Sequence, residues 1–239
     1  MKIIGISGRK QAGKNTVANY ITGHVIKNLG MVSDFDISNK GELEIETLDI
    51  NGNKGWGILD PTRKDAEFTT YAEQELWPHV KIYHFADPLK DLCINLFDLE
   101  PKQVYGTDDD KNTPTKYGKT AREFLQTFGT DIMRSIKDTV WVDYTIKKIT
   151  QEQSSVAIIP DVRFPNEVDA IHNAGGIVIR LTRDVFSDSH KCESALDADK
   201  FDWNKFDYTI NNNETVFELI RTLETKQNIW SEIHASNLH

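Results

Sequence analysis

Residues Gly8 to Lys14 read Gly-Arg-Lys-Gln-Ala-Gly-Lys, which is the spacing G-x-x-x-x-G-K. The setting limits what this stretch can form. Lys2 to Ser7 before it is a short apolar run that predicts a buried strand. The pattern after it predicts a helix from Thr16 to Leu29, with Val17, Tyr20, Ile21, Val25 and Leu29 on one face and Gly30 as its stop. Between a strand and a helix, the glycines let backbone N–H groups turn inward round a phosphate. The helix N-terminus adds partial positive charge there. Lys14 is then expected to reach the β- and γ-phosphates of a nucleoside triphosphate. The motif asks for Ser or Thr after the lysine, but this chain has Asn15 and then Thr16. Asn15 can offer an amide oxygen to Mg²⁺, directly or through water, and Thr16 is expected on a phosphate. A glycine-rich turn that binds nothing is the competing reading; the strand and helix around the loop weigh against it.

The rest of the chain alternates strands and helices, which predicts a parallel sheet covered on both faces. Strands are expected at Val80 to Phe85, Val156 to Ile159, Gly176 to Leu181 and Tyr208 to Ile210. Helices are expected from Asp87, with Pro88 in the first turn, at Thr120 to Ile136, at Val140 to Ile149, at Asn166 to Asn173, and after a cap at Asn213. Residues 31–79 depart from this rhythm. Leu43, Ile45, Leu48 and Ile50 nearly alternate with acidic residues, Asn51-Gly52-Asn53 is a hairpin signal, and Trp56 to Leu59 can return the strand. An inserted β-hairpin with a polar loop is expected, the alternative being a disordered surface insertion. Residues 98–119 read as loop, and the tail after Lys226 as loosely held. Asp108-Asp109-Asp110 reads as a solvated charge run, since no metal-ligand spacing accompanies it.

Two further stretches carry candidate chemistry. Ile158-Ile159-Pro160-Asp161 ends a strand in a carboxylate, with Arg163 and Glu167 just beyond. After a phosphate loop such an Asp holds Mg²⁺ or its water shell. Arg163 can stabilise a transferring phosphate with paired hydrogen bonds, or it can form an ion pair with Glu167. On the predicted helix from Thr120, Arg122, Gln126, Thr130 and Arg134 recur at four-residue spacing along one line. This stripe can hold the phosphate and base of an acceptor nucleotide; an ordinary solvated helix face is the other reading. Gly129, inside that helix, costs about 1 kcal/mol relative to Ala, which makes sense if something packs closely there.

Composition narrows the partners. With a net charge of −9, a long polyanion such as duplex DNA is not expected as the main partner, although a small phosphorylated ligand is. No apolar run approaches the roughly 20 residues of a membrane span, and the first residues are too short a run for a secretory signal. Cys93 and Cys192 are isolated and suggest neither a metal site nor a disulfide framework, so a reducing cytoplasm is expected. Trp56 and the alternating apolar residues of the insertion are the features that suggest a homodimer contact.

Taken in order, Ser7 to Thr16, Phe85-Ala86-Asp87-Pro88-Leu89-Lys90, Arg122-x-x-Leu125-Gln126-x-x-Gly129-Thr130-Asp131, Trp141-Val142 and Pro160 to Glu167 resemble the bacteriophage deoxynucleoside monophosphate kinases. The resemblance covers about residues 1 to 225 and is weakest over 31–79. It implies an α/β P-loop kinase fold with a five-stranded parallel sheet flanked by helices. It also implies transfer of the γ-phosphoryl group of ATP to a deoxynucleoside monophosphate, with Mg²⁺, in the host-cell cytoplasm if the chain is viral. By position, Gly8, Gly13, Lys14, Asn15 and Thr16 would bind ATP. Lys14, Asp161, Arg163 and Glu167 would form the catalytic cluster, and Asn15, Thr16 and Asp161 the metal site, in part through water. The acceptor region would be 98–140, with Arg122, Gln126, Gly129, Thr130 and Arg134, joined by Trp141 just beyond it and by Lys90 from the earlier motif. Residues 184–205, with Ser189-His190-Lys191 to Glu193, would act as a lid, and Asn211-Asn212-Asn213 would lie on the adenine side. The same fold also serves kinases of other small phosphorylated acceptors, such as phosphomevalonate or dephospho-CoA, and nucleotide-binding modules that transfer nothing; fold alone does not separate them.

Overall fold

The computed structural model describes residues 1–48, 51–183 and 194–236, and divides into two compact units. The first contains Met1–Tyr83 and Ile149–His239, the second His84–Lys148.

In the first unit, runs of β-branched residues build a five-stranded parallel sheet. Its strands are β1 (Lys2–Ser7), β5 (Val80–Ile82), β6 (Val156–Val162), β7 (Ile177–Thr182) and β8 (Tyr208–Asn211), in the order β5-β6-β1-β7-β8. The central strands read as nearly unbroken apolar runs, and Ile4, Ile6, Ile158, Ile159, Ile179 and Leu181 are fully buried, as a sheet covered on both faces requires. β5 stops at Ile82, short of the expected Phe85.

The helix after the loop, α1 (Lys14–Asn28), buries more than one face. Thr22, Gly23 and Ile26 join Val17, Tyr20, Ile21 and Val25 inside, while Leu29 lies beyond the helix and is exposed. The reason is the inserted segment. It forms β2 (Phe35–Ile37), β3 (Leu43–Leu48) and β4 (Lys54–Leu59), an antiparallel three-stranded sheet rather than a hairpin alone. This sheet packs on α1 so closely that a Cβ on Gly23 would lie 2.3 Å from Phe35 and 2.8 Å from Leu43. Helix α2 (Ala66–Tyr71), capped by Asp65, and the π-helical turn Ala72–Leu76 then send Phe68, Ala72 and Leu76 into the main core. Leu48, Trp56 and Ile58 remain exposed.

The C-terminal segment departs from expectation. Helix α10 (Val216–Glu224) is capped by Thr215, not Asn213, and α11 (Gln227–Ser236) follows it. Ile229, Trp230 and Ile233 of α11 are core residues, and the Trp230 indole donates to the Leu223 carbonyl at 3.0 Å. The apolar triplet at i, i+1 and i+4 anchors what composition alone suggested was loose.

The second unit is helical. It holds α3 (Asp87–Phe97), α4 (Pro101–Tyr105), α5 (Asp108–Lys111), α6 (Ala121–Gln126), a π-helical stretch Thr127–Met133 and α7 (Arg134–Ile136); α8 (Val140–Glu152) follows. The region expected to be loop thus contains two short helices. Thr107 and Asp110 cap α5 reciprocally, so one of the three aspartates is a cap rather than a free charge. The expected continuous helix over 120–136 widens into a π register from Thr127. The small core here is Cys93, Leu99, Val104 and Ala121, with the Phe97, Phe124 and Phe128 rings packed edge to face or tilted against each other.

Candidate active site

The loop leaves β1 at Ser7 and enters α1 at Lys14. Gly13 takes φ 93° and Gln11 φ 61°, both in the left-handed region; only the second position carries a side-chain cost. A Cβ on Gly13 would lie 2.5 Å from the Asn212 amide nitrogen, so the glycine is required twice over. The carbonyls of this loop are tied down. Lys14 Nζ donates to the Gly8 carbonyl at 2.8 Å and to the Arg9 carbonyl at 2.7 Å. Arg183 Nη1 donates to the Gln11 carbonyl at 3.2 Å, and Asn212 Nδ2 to the Ala12 carbonyl at 2.9 Å. When successive carbonyls are engaged, the loop has little freedom to rotate its peptide planes away from an anion-binding shape. Asn15 is exposed in the first turn of α1. Thr16 lies against the inserted sheet: a Cβ on Gly41 would fall 2.2 Å from its Oγ1, and the neighbouring Asn19 amide donates to the Gly41 carbonyl at 2.8 Å.

On β6 the expected strand end is instead a bulge. Gly5 pairs with Ile159 and Ser7 with Val162, so β6 carries one extra residue at Pro160-Asp161. Pro160 cannot donate to the ladder, and the bulge accommodates it beside the last residues of β1. Asp161 is half-buried at this bulge, beside the strand end from which the loop springs. Arg163 is half-buried two residues on. Glu167 is buried, and its Oε2 accepts the backbone N–H of Arg163 at 2.7 Å and of Phe164 at 3.1 Å. Glu167 therefore shapes the turn that carries Arg163 into α9 (Pro165–Asn173).

In the second unit, α6 carries Arg122. Its Nη2 contacts Asp108 Oδ1 at 2.7 Å and its Nε donates to Asn112 Oδ1 at 3.0 Å. Gln126 and Thr130 are half-buried, and Arg134 Nη1 donates to the Asp138 carbonyl at 3.3 Å. Gly129 is buried against Leu89 of α3: a Cβ there would lie 2.3 Å from Leu89 Cδ2. Its carbonyl accepts the Trp141 indole N–H at 3.0 Å, and Trp141 itself is buried. Gly129 and Trp141 are thus joined to each other inside the unit, and the close packing inferred from the glycine is with protein. Lys90 Nζ lies 3.5 Å from Asp87 and 4.7 Å from the centre of the Tyr105 ring. The Tyr105 hydroxyl donates to Asp91 at 2.6 Å. Burial, the nearby Asp87 charge and this hydrogen bond push its pKa far above the usual phenol value.

Sequence reasoning missed Arg183, Asn212 and Asp197, all of which contact the loop. Asn212 comes closest, since its asparagine run is expected on the adenine side; the observed contact is with the Ala12 carbonyl. The lid expected at Ser189 to Glu193 lies outside the described residues. No group of three His, Cys, Asp or Glu side chains that could hold a metal occurs among the described residues. No helix among them is long and apolar enough to cross a membrane.

A five-stranded parallel sheet flanked by helices, with a glycine loop and lysine between the central strand and the first helix, is the architecture of P-loop kinases. Sequence comparison then gives the family. The profile of the family described as deoxynucleotide monophosphate kinase matches residues 110–223. A protein of Acanthamoeba polyphaga mimivirus, titled "Putative deoxynucleotide monophosphate kinase", is 34% identical over 150 residues, covering 56% of this chain and 76% of that protein. The chain belongs to the deoxynucleotide monophosphate kinase family, and so to the phosphotransferases.

Proposed function

We propose that the protein transfers the γ-phosphoryl group of ATP to a deoxynucleoside monophosphate, giving ADP and the deoxynucleoside diphosphate. The observation that carries this reading is the loop in the first unit, where Lys14 is bonded to two loop carbonyls at the first turn of α1. ATP phosphates would replace those carbonyls as partners of the Lys14 ammonium, and the loop N–H groups would close round them. Gly8, Gly13, Asn15 and Thr16 complete this donor segment, with Thr16 held against Gly41.

Asp161 is the hard oxygen donor that a Mg²⁺ ion accepts, and Mg²⁺ commonly needs only one or two carboxylates beside phosphate oxygens and water. The residues present therefore fit the ion: Asp161 and Asn15 would hold it, in part through water, with Thr16 as a further hydroxyl. When bound, it would neutralise charge on the phosphates. Arg163, on the turn fixed by Glu167, supplies positive charge for the transferring group. In the second unit, Arg122, with Lys90 and Arg134, would take the acceptor's phosphate, and Gln126 and Thr130 its base and sugar. Gly129 and Trp141 support that surface from inside. An acceptor phosphate oxygen forms the new bond to the γ-phosphorus as the bond to the β–γ bridging oxygen breaks. Positioning and fixed charge, rather than covalent chemistry, do most of the catalysis.

The test is direct. The protein is incubated with ATP, Mg²⁺ and each of dAMP, dGMP, dCMP and dTMP, with ribonucleotide controls, and ADP is measured. Acceptor-dependent ADP from at least one deoxynucleotide is expected. ADP formation that no acceptor accelerates overturns the reading. Loss of Arg163 should abolish turnover while ATP still binds.

A further inference from the structure

We propose that Asp197 is a positioning residue of the donor loop: it clamps Arg9 of the loop and Arg180 of β7 with one carboxylate, and so holds the Gly8 carbonyl where Lys14 meets it. The inference rests on the reading of residues 8–16 as the ATP-binding segment.

The geometry is a paired contact. Arg9 Nε donates to Asp197 Oδ1 at 3.2 Å and Arg9 Nη2 to Oδ2 at 2.6 Å. This fork-to-carboxylate arrangement fixes orientation as well as distance. Arg180 Nη2 lies 3.7 Å from the same Oδ1. Arg180 is only 5% exposed; its guanidinium lies over the Trp203 and Phe206 rings at 5.3 and 5.6 Å, and its Nη1 donates to Ser7 Oγ at 2.9 Å. An arginine this buried is costly unless its charge is matched. Asp197 matches it, and the resulting link reaches Ser7 on one side of Gly8 and Arg9 on the other. Gly8 and Arg9 are the residues whose carbonyls receive Lys14. The clamp therefore grips both flanks of the corner that orients the phosphate-directed lysine. Without the carboxylate, the paired contact that joins Arg9 to Arg180 is lost, and the corner keeps only its other ties, such as Lys14 and Ser7.

The test is nucleotide binding by calorimetry, together with steady-state kinetics on the full chain. Asp197→Asn keeps the shape of the side chain and removes its charge. It should weaken ATP binding on the order of tenfold, while the KM of the acceptor stays within about twofold. Arg9→Gln should give the same split, and the double variant should add little to either. If Asp197→Asn does not fold, Arg9→Gln alone reads the contact. Wild-type ATP affinity in either folded variant overturns the inference, and so does equal weakening toward both substrates accompanied by a lowered Tm, the mark of a structural role. Absence of ATP binding by the wild-type protein would overturn the donor reading itself, so the two failures are distinguishable.

Discussion

The two units hold their candidate phosphate-directed cations in different ways. In the first, Lys14 bonds to the backbone carbonyls of Gly8 and Arg9; in the second, Arg122 bonds to the Asp108 carboxylate and the Asn112 side chain. A carbonyl contact orients a cation, and a carboxylate contact both orients it and neutralises charge; Arg122 makes a contact of the second kind. The units also differ in what stabilises them. The first is built on a sheet of fully buried isoleucines and valines, and the second on a small aromatic cluster with helix caps such as Thr107–Asp110 and Thr120–Glu123. The candidate donor segment thus springs from a fully buried sheet. The candidate acceptor residues sit on helices whose ends depend on exposed hydrogen bonds, which is the less rigid kind of support.

The largest effect expected from breaking this comparison is at Lys14. Lys14→Ala should lower kcat on the order of a hundred- to thousandfold with an unchanged Tm; retained turnover would mean that the loop does not hold the transferred phosphate. Arg122→Gln should raise the acceptor KM by about ten- to a hundredfold and leave ATP affinity alone. Asp108→Asn sharpens the point. If the carboxylate competes with the acceptor phosphate, that variant lowers the acceptor KM by about two- to fivefold, and a raised KM would show instead that Asp108 orients Arg122.

Gly129→Ala tests the packing of the second unit. The added methyl meets Leu89 Cδ2, and overpacking of this kind should cost roughly 1–3 kcal/mol in thermal unfolding. A variant as stable as wild type would show that Leu89 yields freely. The smallest effect concerns the caps. Hydrogen bonds from the Thr107 side chain hold Asp110 below the ordinary carboxyl value of 3.8, and those from the Thr120 backbone hold Glu123 below 4.5. Depressed values mean that this stabilisation is complete above the ordinary values and is lost as pH falls through the lower, folded ones. An NMR titration should give carboxyl midpoints below 3.8 and 4.5 for the two residues; midpoints at or above them would show that the caps do not persist in solution.

Much of the candidate donor segment was legible because it is local. The Gly8 to Lys14 spacing, the apolar run before it and the helical period after it all lie within one stretch of chain. The same holds for the Asn51-Gly52-Asn53 hairpin, which does join β3 to β4. The third strand of that sheet, Phe35–Ile37, is too short to carry a period, and it pairs with Ile45 across a turn with no hairpin dipeptide. The π-helical stretch at Thr127–Met133 was not legible either. It contains a glycine whose neighbours, Leu89 and Trp141, come from other helices and so are not visible in the local pattern.

Sequence alone determined that the chain places a G-x-x-x-x-G-K motif between a buried strand and a helix, and that strands and helices alternate into a parallel sheet. Those properties follow from side-chain pattern over a few consecutive residues. Only the tertiary structure decided how the loop carbonyls are held by Arg183 and Asn212, that a bulge at Pro160 carries Asp161, and that Asp197 joins Arg9 to Arg180. These contacts link residues up to 200 positions apart. A hydrogen bond of about 3 Å depends on the final register of packed strands, which no local pattern encodes.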